Sequence, residues 1–153
     1  MKYFYGLVFL VSISSCCKQR DCLTGHITEI DLASYTSSDI DTIIVRRFVR
    51  ASNFHNLIDT IMLNQTNSNG YVNGDTTRVY ISDTAVAMKA NYDYEIYIPA
   101  TNNVAKVSNI VAPQKQHQVC MVCDCAQGPC FNPVESFTLN GEVVKDDYLL
   151  LKK

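Results

Sequence analysis

The sequence predicts an all-β protein, an antiparallel β-sandwich of two sheets, and three observations predict it. Short β-branched and aromatic runs recur about every ten to fifteen residues, while amphipathic helical periodicity is nearly missing. The composition favours strands, with nine Tyr, no Trp and plentiful Thr, Val and Ile. Asn140-Gly141 stands between two such runs, and both residues tolerate the positive φ that a type I′ hairpin turn requires.

HITEIDL (26–32) alternates, with Ile30 and Leu32 on one face. DTIIVRRFV (41–49) is β-branched, but Arg46 and Arg47 put charge on both faces, which predicts an edge position or a bulge. LIDTIML (57–63), TRVYI (77–81), YEIYIP (94–99), VAKVSNIVA (104–112) and QVCMVC (118–123) continue the series. ESFTL (135–139) and EVV (142–144) flank the Asn-Gly turn, and DDYLLLKK offers a last strand. The segment NQTNSNGYVNGDT (64–76) is polar and rich in Asn and Gly. It reads as a long exposed hairpin loop, either a solvated connector or a contact surface. About eight short strands separated by turns is the pattern of immunoglobulin-like and fibronectin type III sandwiches, with a small closed β-barrel as the alternative.

Charge excludes some functions. Thirteen Lys and Arg against fifteen Asp and Glu give a net charge of −2 and no basic cluster, which argues against nucleic acid. It argues equally against polybasic attachment to anionic lipid.

The amino-terminal stretch MKYFYGLVFLVSISSC has a cation at Lys2, an apolar run from Tyr3 to Ile13 and two small residues before Cys16. This is the three-part layout of a secretory signal, too short for a permanent membrane-spanning helix. Ile13-Ser14-Ser15-Cys16 resembles the bacterial lipobox. The resemblance implies removal of residues 1–15 as a lipoprotein signal peptide and acylation of Cys16 with fatty chains of the palmitate kind. Several chains hold a protein stably on a membrane where one does not. Cys17 fits less well as acceptor, because it would place Cys16 in the small-residue position before the cut. Residues 16–24 then form a lipidated tether and 25–153 a single domain. The order of lipobox, β body and late cysteine cluster is similar to that of small Gram-negative envelope lipoproteins, which implies an address at the outer membrane or facing the periplasm. It implies no activity.

Seven cysteines are present, four of them in VCMVCDCAQGPC (119–130). With Cys16 acylated, Cys17, Cys22, Cys120, Cys123, Cys125 and Cys130 remain, an even number in an exported chain, which favours disulfides. Six cysteines allow fifteen pairings, and the sequence selects none. CAQGPC can turn tightly enough to join Cys125 to Cys130, and Cys17 and Cys22 are candidates to tie the tether to the last sheet. A thiolate metal site is the alternative, although structural zinc sites usually divide two C-x-x-C pairs between separate knuckles. A redox C-x-x-C opens a helix, whereas CMVC lies in an apolar β-like run.

No nucleophile elbow, H-E-x-x-H, P-loop or dinucleotide fingerprint occurs. His26, His55 and His117 are scattered, and the pairs Asp39/Asp41 and Asp146/Asp147 read as solvated turns. Asp-Thr followed by an aliphatic residue or Thr recurs with Thr42, Thr60, Thr76 and Thr84. It is similar to an O-glycosylation motif of one group of Gram-negative bacteria, which would make these four threonines acceptors. The same dipeptide also suits entry from a turn into a strand. The sequence thus predicts a non-enzymatic, lipid-anchored envelope module with no cofactor, presenting a disulfide-stapled sandwich to a protein or glycan partner. The alternative is a thiol- or metal-handling envelope protein that uses the 120–130 cluster.

Overall fold

A computed structural model of the protein describes residues 17–21, 24–63, 68–114, 116–120 and 132–153, the strands 17–21 and 116–120 through their backbones alone. The leader, Cys16, Cys22, Cys123, Cys125 and Cys130 lie outside the described residues. The chain divides into two compact units, one of 1–23 with 114–132 and one of 24–113 with 133–153.

In the first unit, β1 (Cys17–Asp21) pairs antiparallel with β11 (Gln116–Cys120). His117 lies inside this second strand.

The second unit is all-β, and its strands are β2 (His26–Ile27), β3 (Glu29–Ala33), β4 (Ile43–Val49), β5 (Leu57–Leu63), β6 (Ser68–Asn73), β7 (Thr76–Ile81), β8 (Met88–Lys89), β9 (Tyr92–Ile98), β10 (Asn103–Val111), β12 (Ser136–Leu139), β13 (Glu142–Val144) and β14 (Leu149–Lys152). One sheet has the order β13-β12-β10-β9-β4-β5, a second the order β14-β3-β7-β6, and β2 pairs with β8. Both large sheets are open, so the closed barrel is set aside: their edges are β13 and β5, β14 and β6. Pairing is antiparallel throughout this unit except between β14 and β3, which run parallel. A tail strand can lie parallel to an early strand because the whole intervening chain serves as the crossover.

Alternation sets the core. Tyr94, Ile96 and Ile98 on β9, Val107 and Ile110 on β10, Ile30 and Leu32 on β3 and Leu149 and Leu151 on β14 are buried in one hydrophobic cluster to which both large sheets contribute. Each fully buried aliphatic side chain of this kind stabilises by about 1.5–3 kcal/mol. Tyr94 also carries a phenol into the core, and that phenol accepts a hydrogen bond from Lys89 N at 2.7 Å. Burial pushes its pKa up to about 12. The bulge falls on the neighbouring strand and not on the doubled arginine: β4 runs regularly beside β9, and between the pairs Arg47–Asp59 and Phe48–Leu57 the extra residue is Ile58 of β5. The edge position is corrected, since β4 lies between β9 and β5.

Two turns show how local chemistry fixes register. Leu139 pairs with Glu142, leaving Asn140 (φ 51°) and Gly141 (φ 93°) as the two turn residues, both positive as type I′ demands. Asn140 is held from two sides, its N–H donating to Lys106 O and its Oδ1 accepting from Lys106 N, each at 2.8 Å. The presumed loop 64–76 is corrected: 68–73 is strand β6, and only Gly74 (φ 64°) and Asp75 turn between Asn73 and its partner Thr76. Glycine at the first turn position is the type II′ preference.

Gly141→Ala is therefore expected to destabilise the unit by about 1–2 kcal/mol, because a Cβ is disfavoured at positive φ. Gly70→Ala in β6 places its Cβ in ordinary contact, 3.6 Å from Arg78 O, and is expected to stay within about 0.5 kcal/mol of wild type. Urea unfolding of both variants checks the pair.

Candidate functional site

A cleft of about 520 Å³ opens among β10, the β12–β13 hairpin, the connection after it and β14. Its polar lining comes from Asn103, Asn140, Glu142, Asp146, Tyr148 and Lys152, and its apolar lining from Ala105, Leu139, Val144, Leu150 and Leu151. The Asn140 side chain enters with its oxygen already bonded to Lys106 N, which leaves the amide nitrogen as a donor. Asn103 is positioned by its Nδ2, which donates to Tyr35 Oη at 2.5 Å and to Lys152 O at 3.3 Å. Asp146 Oδ1 accepts from Asp147 N at 2.9 Å, a local turn that fixes the carboxylate. The charge of Asp146 and its hydrogen bond to the phenol push the Tyr148 pKa above the ordinary value, so Tyr148 stays a neutral donor near pH 7.

Tyr148 also senses Asp31 and Arg78, which belong to the outward face of the four-stranded sheet. That face follows from alternation: Ile30, Leu32, Val79 and Ile81 turn inward, and Glu29, Asp31, Arg78 and Tyr80 share the other side. The register places Glu29 opposite Tyr80 and Asp31 opposite Arg78. Arg78 donates to both carboxylate oxygens of Asp31, at 2.7 and 2.8 Å, and its Nε lies 2.8 Å from Glu29 Oε1. Asp31 is only 5% exposed, so this bidentate pair compensates a buried carboxylate and fixes the guanidinium as a cation. The hydrogen bond to Asp31 raises the Arg78 pKa further above its ordinary value. Tyr71 stacks on Tyr80 with ring centres 5.9 Å apart and planes at 25°, and the guanidinium of Arg78 lies 6.0 Å from the Tyr71 ring centre. The half-exposed Tyr71 makes this edge strand the aromatic border of the face.

The outer face of the six-stranded sheet is different. There Arg46 pairs with Glu95 at 2.6 Å and covers the Tyr97 ring, whereas Arg47, next along the strand and so on the opposite face beside Tyr94, pairs with Asp59 and covers Tyr92. Both guanidinium groups are occupied by neighbours on adjacent strands.

Among the residues singled out from sequence, Cys17 and Cys120 stand opposite each other in the β1–β11 register. The four threonines lie on separate elements. Thr60 on β5 and Thr84 in the turn before β8 are exposed, whereas Thr42 and Thr76 are half-buried. The turn-to-strand reading of Asp-Thr suits Thr42 and Thr76, which precede or begin β4 and β7, but Thr60 is in mid-strand and Thr84 in a turn. Neither Asp39 nor Asp146 is merely solvated. Asp39 accepts from Lys153 Nζ at 2.8 Å and from Thr36, and these bonds, Lys153 first, lower its pKa to about 2. His26 is half-buried, and burial lowers its pKa. The cleft residues Asn103, Glu142 and Tyr148 carried no sequence signal beyond polarity, since strands distant in the chain bring them together.

No helix among the described residues is long and apolar enough to cross a membrane. Compared with protein-family models, curated proteins and solved structures, the chain matches none.

Proposed function

We propose that the chain is a lipid-anchored module of a Gram-negative cell envelope, acylated at Cys16, that binds a glycan without chemically altering it. Its second unit is taken as a β-sandwich in the immunoglobulin or fibronectin type III manner, supported by two open sheets with a common core. The cleft carries the glycan reading. Sugar hydroxyls each donate and accept, and rings offer apolar C–H faces; the cleft has carboxylates, amides and a phenol on one part of its lining and Leu139, Val144 and Leu150 on another. Its volume falls within the roughly 300–1,000 Å³ of small-ligand sites. The acidic groups Glu142 and Asp146 outnumber Lys152, which favours neutral or amino sugars over anionic ones.

The test is binding of the purified protein to an array of neutral, amino and acidic oligosaccharides, followed by titration of the best hits. Asp146→Asn with Tyr148→Phe is expected to weaken binding at least about tenfold, the equivalent of one lost charged hydrogen bond. Val143→Thr, at an exposed position outside the cleft lining, is expected to bind as wild type does. Absence of binding to every glycan, or equal binding by the double variant, rejects the cleft as a glycan site.

A further inference from the structure

We propose that Cys17 and Cys120 form a disulfide that closes the β1–β11 ribbon. The register of that ribbon is Cys17 to Cys120, Lys18 to Val119, Gln19 to Gln118, Arg20 to His117 and Asp21 to Gln116, so the two cysteines are direct cross-strand partners. Direct partners in antiparallel strands have Cα atoms about 4.5 or 5.5 Å apart, depending on whether the pair is hydrogen-bonded. Both separations fall within the roughly 4.4–6.8 Å that a disulfide spans. Backbone pairing alone therefore supplies the main distance requirement.

The ribbon also needs such a link. A two-stranded ribbon is marginal in water without an added face or staple. Four of its five cross-strand pairs are polar or half-polar, and none joins two apolar residues. The strands are not consecutive either: β2 to β10 intervene, so the ribbon forms only after a long loop closes. The cysteine pair is the one position in this register whose chemistry can hold the ends against that entropy.

The pairing has two consequences. It leaves Cys22, Cys123, Cys125 and Cys130 with three possible connectivities in place of fifteen pairings for six cysteines. It also places the crosslink on the residue next to Cys16, so the strand that ends at Cys120 is bonded beside the proposed lipid anchor.

The chemistry is thiol–disulfide exchange. The two thiols give up two protons and two electrons as their S–S bond forms, and a disulfide oxidant accepts both as its own S–S bond breaks to two thiols. In the envelope that oxidant is an oxidised dithiol protein; in the test tube it is oxidised glutathione, which leaves as two molecules of reduced glutathione. The proposal relies on the envelope reading only for its cellular oxidant. Refolding the reduced full-length chain with oxidised glutathione tests the pairing apart from the address.

The experiment is alkylation of unreduced protein followed by site mapping. Cys17→Ser is expected to release one reactive thiol at Cys120, Cys120→Ser one at Cys17, and the double variant none beyond wild type. Should the single variants fail to accumulate, a non-reduced digest of wild type is expected to contain the Cys17 peptide bonded to Cys120, identified by fragmentation. Release of any other cysteine in Cys17→Ser, alkylation of Cys17 or Cys120 in the oxidised wild type, or an acyl group on Cys17 overturns the pairing.

Discussion

Phe137→Ala is expected to lower the unfolding free energy by about 3–5 kcal/mol, the range for truncating a buried aromatic ring. Phe137 is 1% exposed on β12 and belongs to the cluster to which both large sheets contribute. Removing the ring forfeits its transfer free energy, and the cavity left behind collapses only in part because β12 is fixed on both sides, by β10 and by β13. Domains of ordinary stability have only about 5–15 kcal/mol in total, so the loss takes at least about a fifth of it. On the same hairpin Val143 is 71% exposed, and Val143→Ala is expected to change stability by less than about 0.5 kcal/mol. Urea midpoints of the two variants give the comparison. A loss below about 1 kcal/mol for Phe137→Ala would mean that the hairpin does not close the core.

That hairpin was legible because everything that specifies it is local. SFTL alternates, Asn-Gly supplies two positive φ values, and the register follows from the two-residue turn. The β5 and β9 runs were legible for a related reason, their β-branched and aromatic residues. Strand β6 was not, because Asn69, Gly70 and Asn73 disfavour strands and its only strand-favouring residues, Tyr71 and Val72, are adjacent and exposed, so no alternation marks it. Its extended state is imposed by pairing with β7 and by the Gly74-Asp75 turn. The parallel approach of β14 to β3 has no local signature at all, since it joins the two ends of the second unit.

The site divides in the same way. Cys17 and Cys120 were each identifiable as a candidate thiol, but their partnership is a matter of register between strands far apart in the chain. The cleft was invisible for a further reason. Asn103, Glu142, Asp146 and Tyr148 each look like an ordinary solvated polar residue until β10, the hairpin and β14 converge. The carboxylate–guanidinium–tyrosine face was half visible: alternation puts Glu29 with Asp31 and Arg78 with Tyr80, and only pairing of β3 with β7 shows that the acids and the cation meet.

Cys16→Ala is expected to abolish incorporation of a fatty-acid label and to leave the precursor uncut, an all-or-none effect in place of a graded one. In a lipobox the acylated thiol is what the peptidase requires after the scissile bond, and Ser14 and Ser15 supply the small side chains before it. Cys17→Ala keeps both features and is expected to be labelled and cut as wild type is. The paired design separates the roles proposed for two adjacent residues, a disulfide across the ribbon for Cys17, which stands opposite Cys120, and acylation for Cys16. Loss of the anchor is expected to move the protein from the membrane fraction to the soluble one only if a second route of cleavage frees it; uncut precursor stays with the membrane through its apolar run from Tyr3 to Ile13. The decisive readout is therefore the label and the mobility of the chain on a gel, not the fraction. Growth of the producing cells with a clickable fatty acid supplies both. Equal labelling of wild type and Cys16→Ala removes the lipobox reading and with it the envelope anchor, while the stability of the second unit to urea is expected to be unchanged in either case.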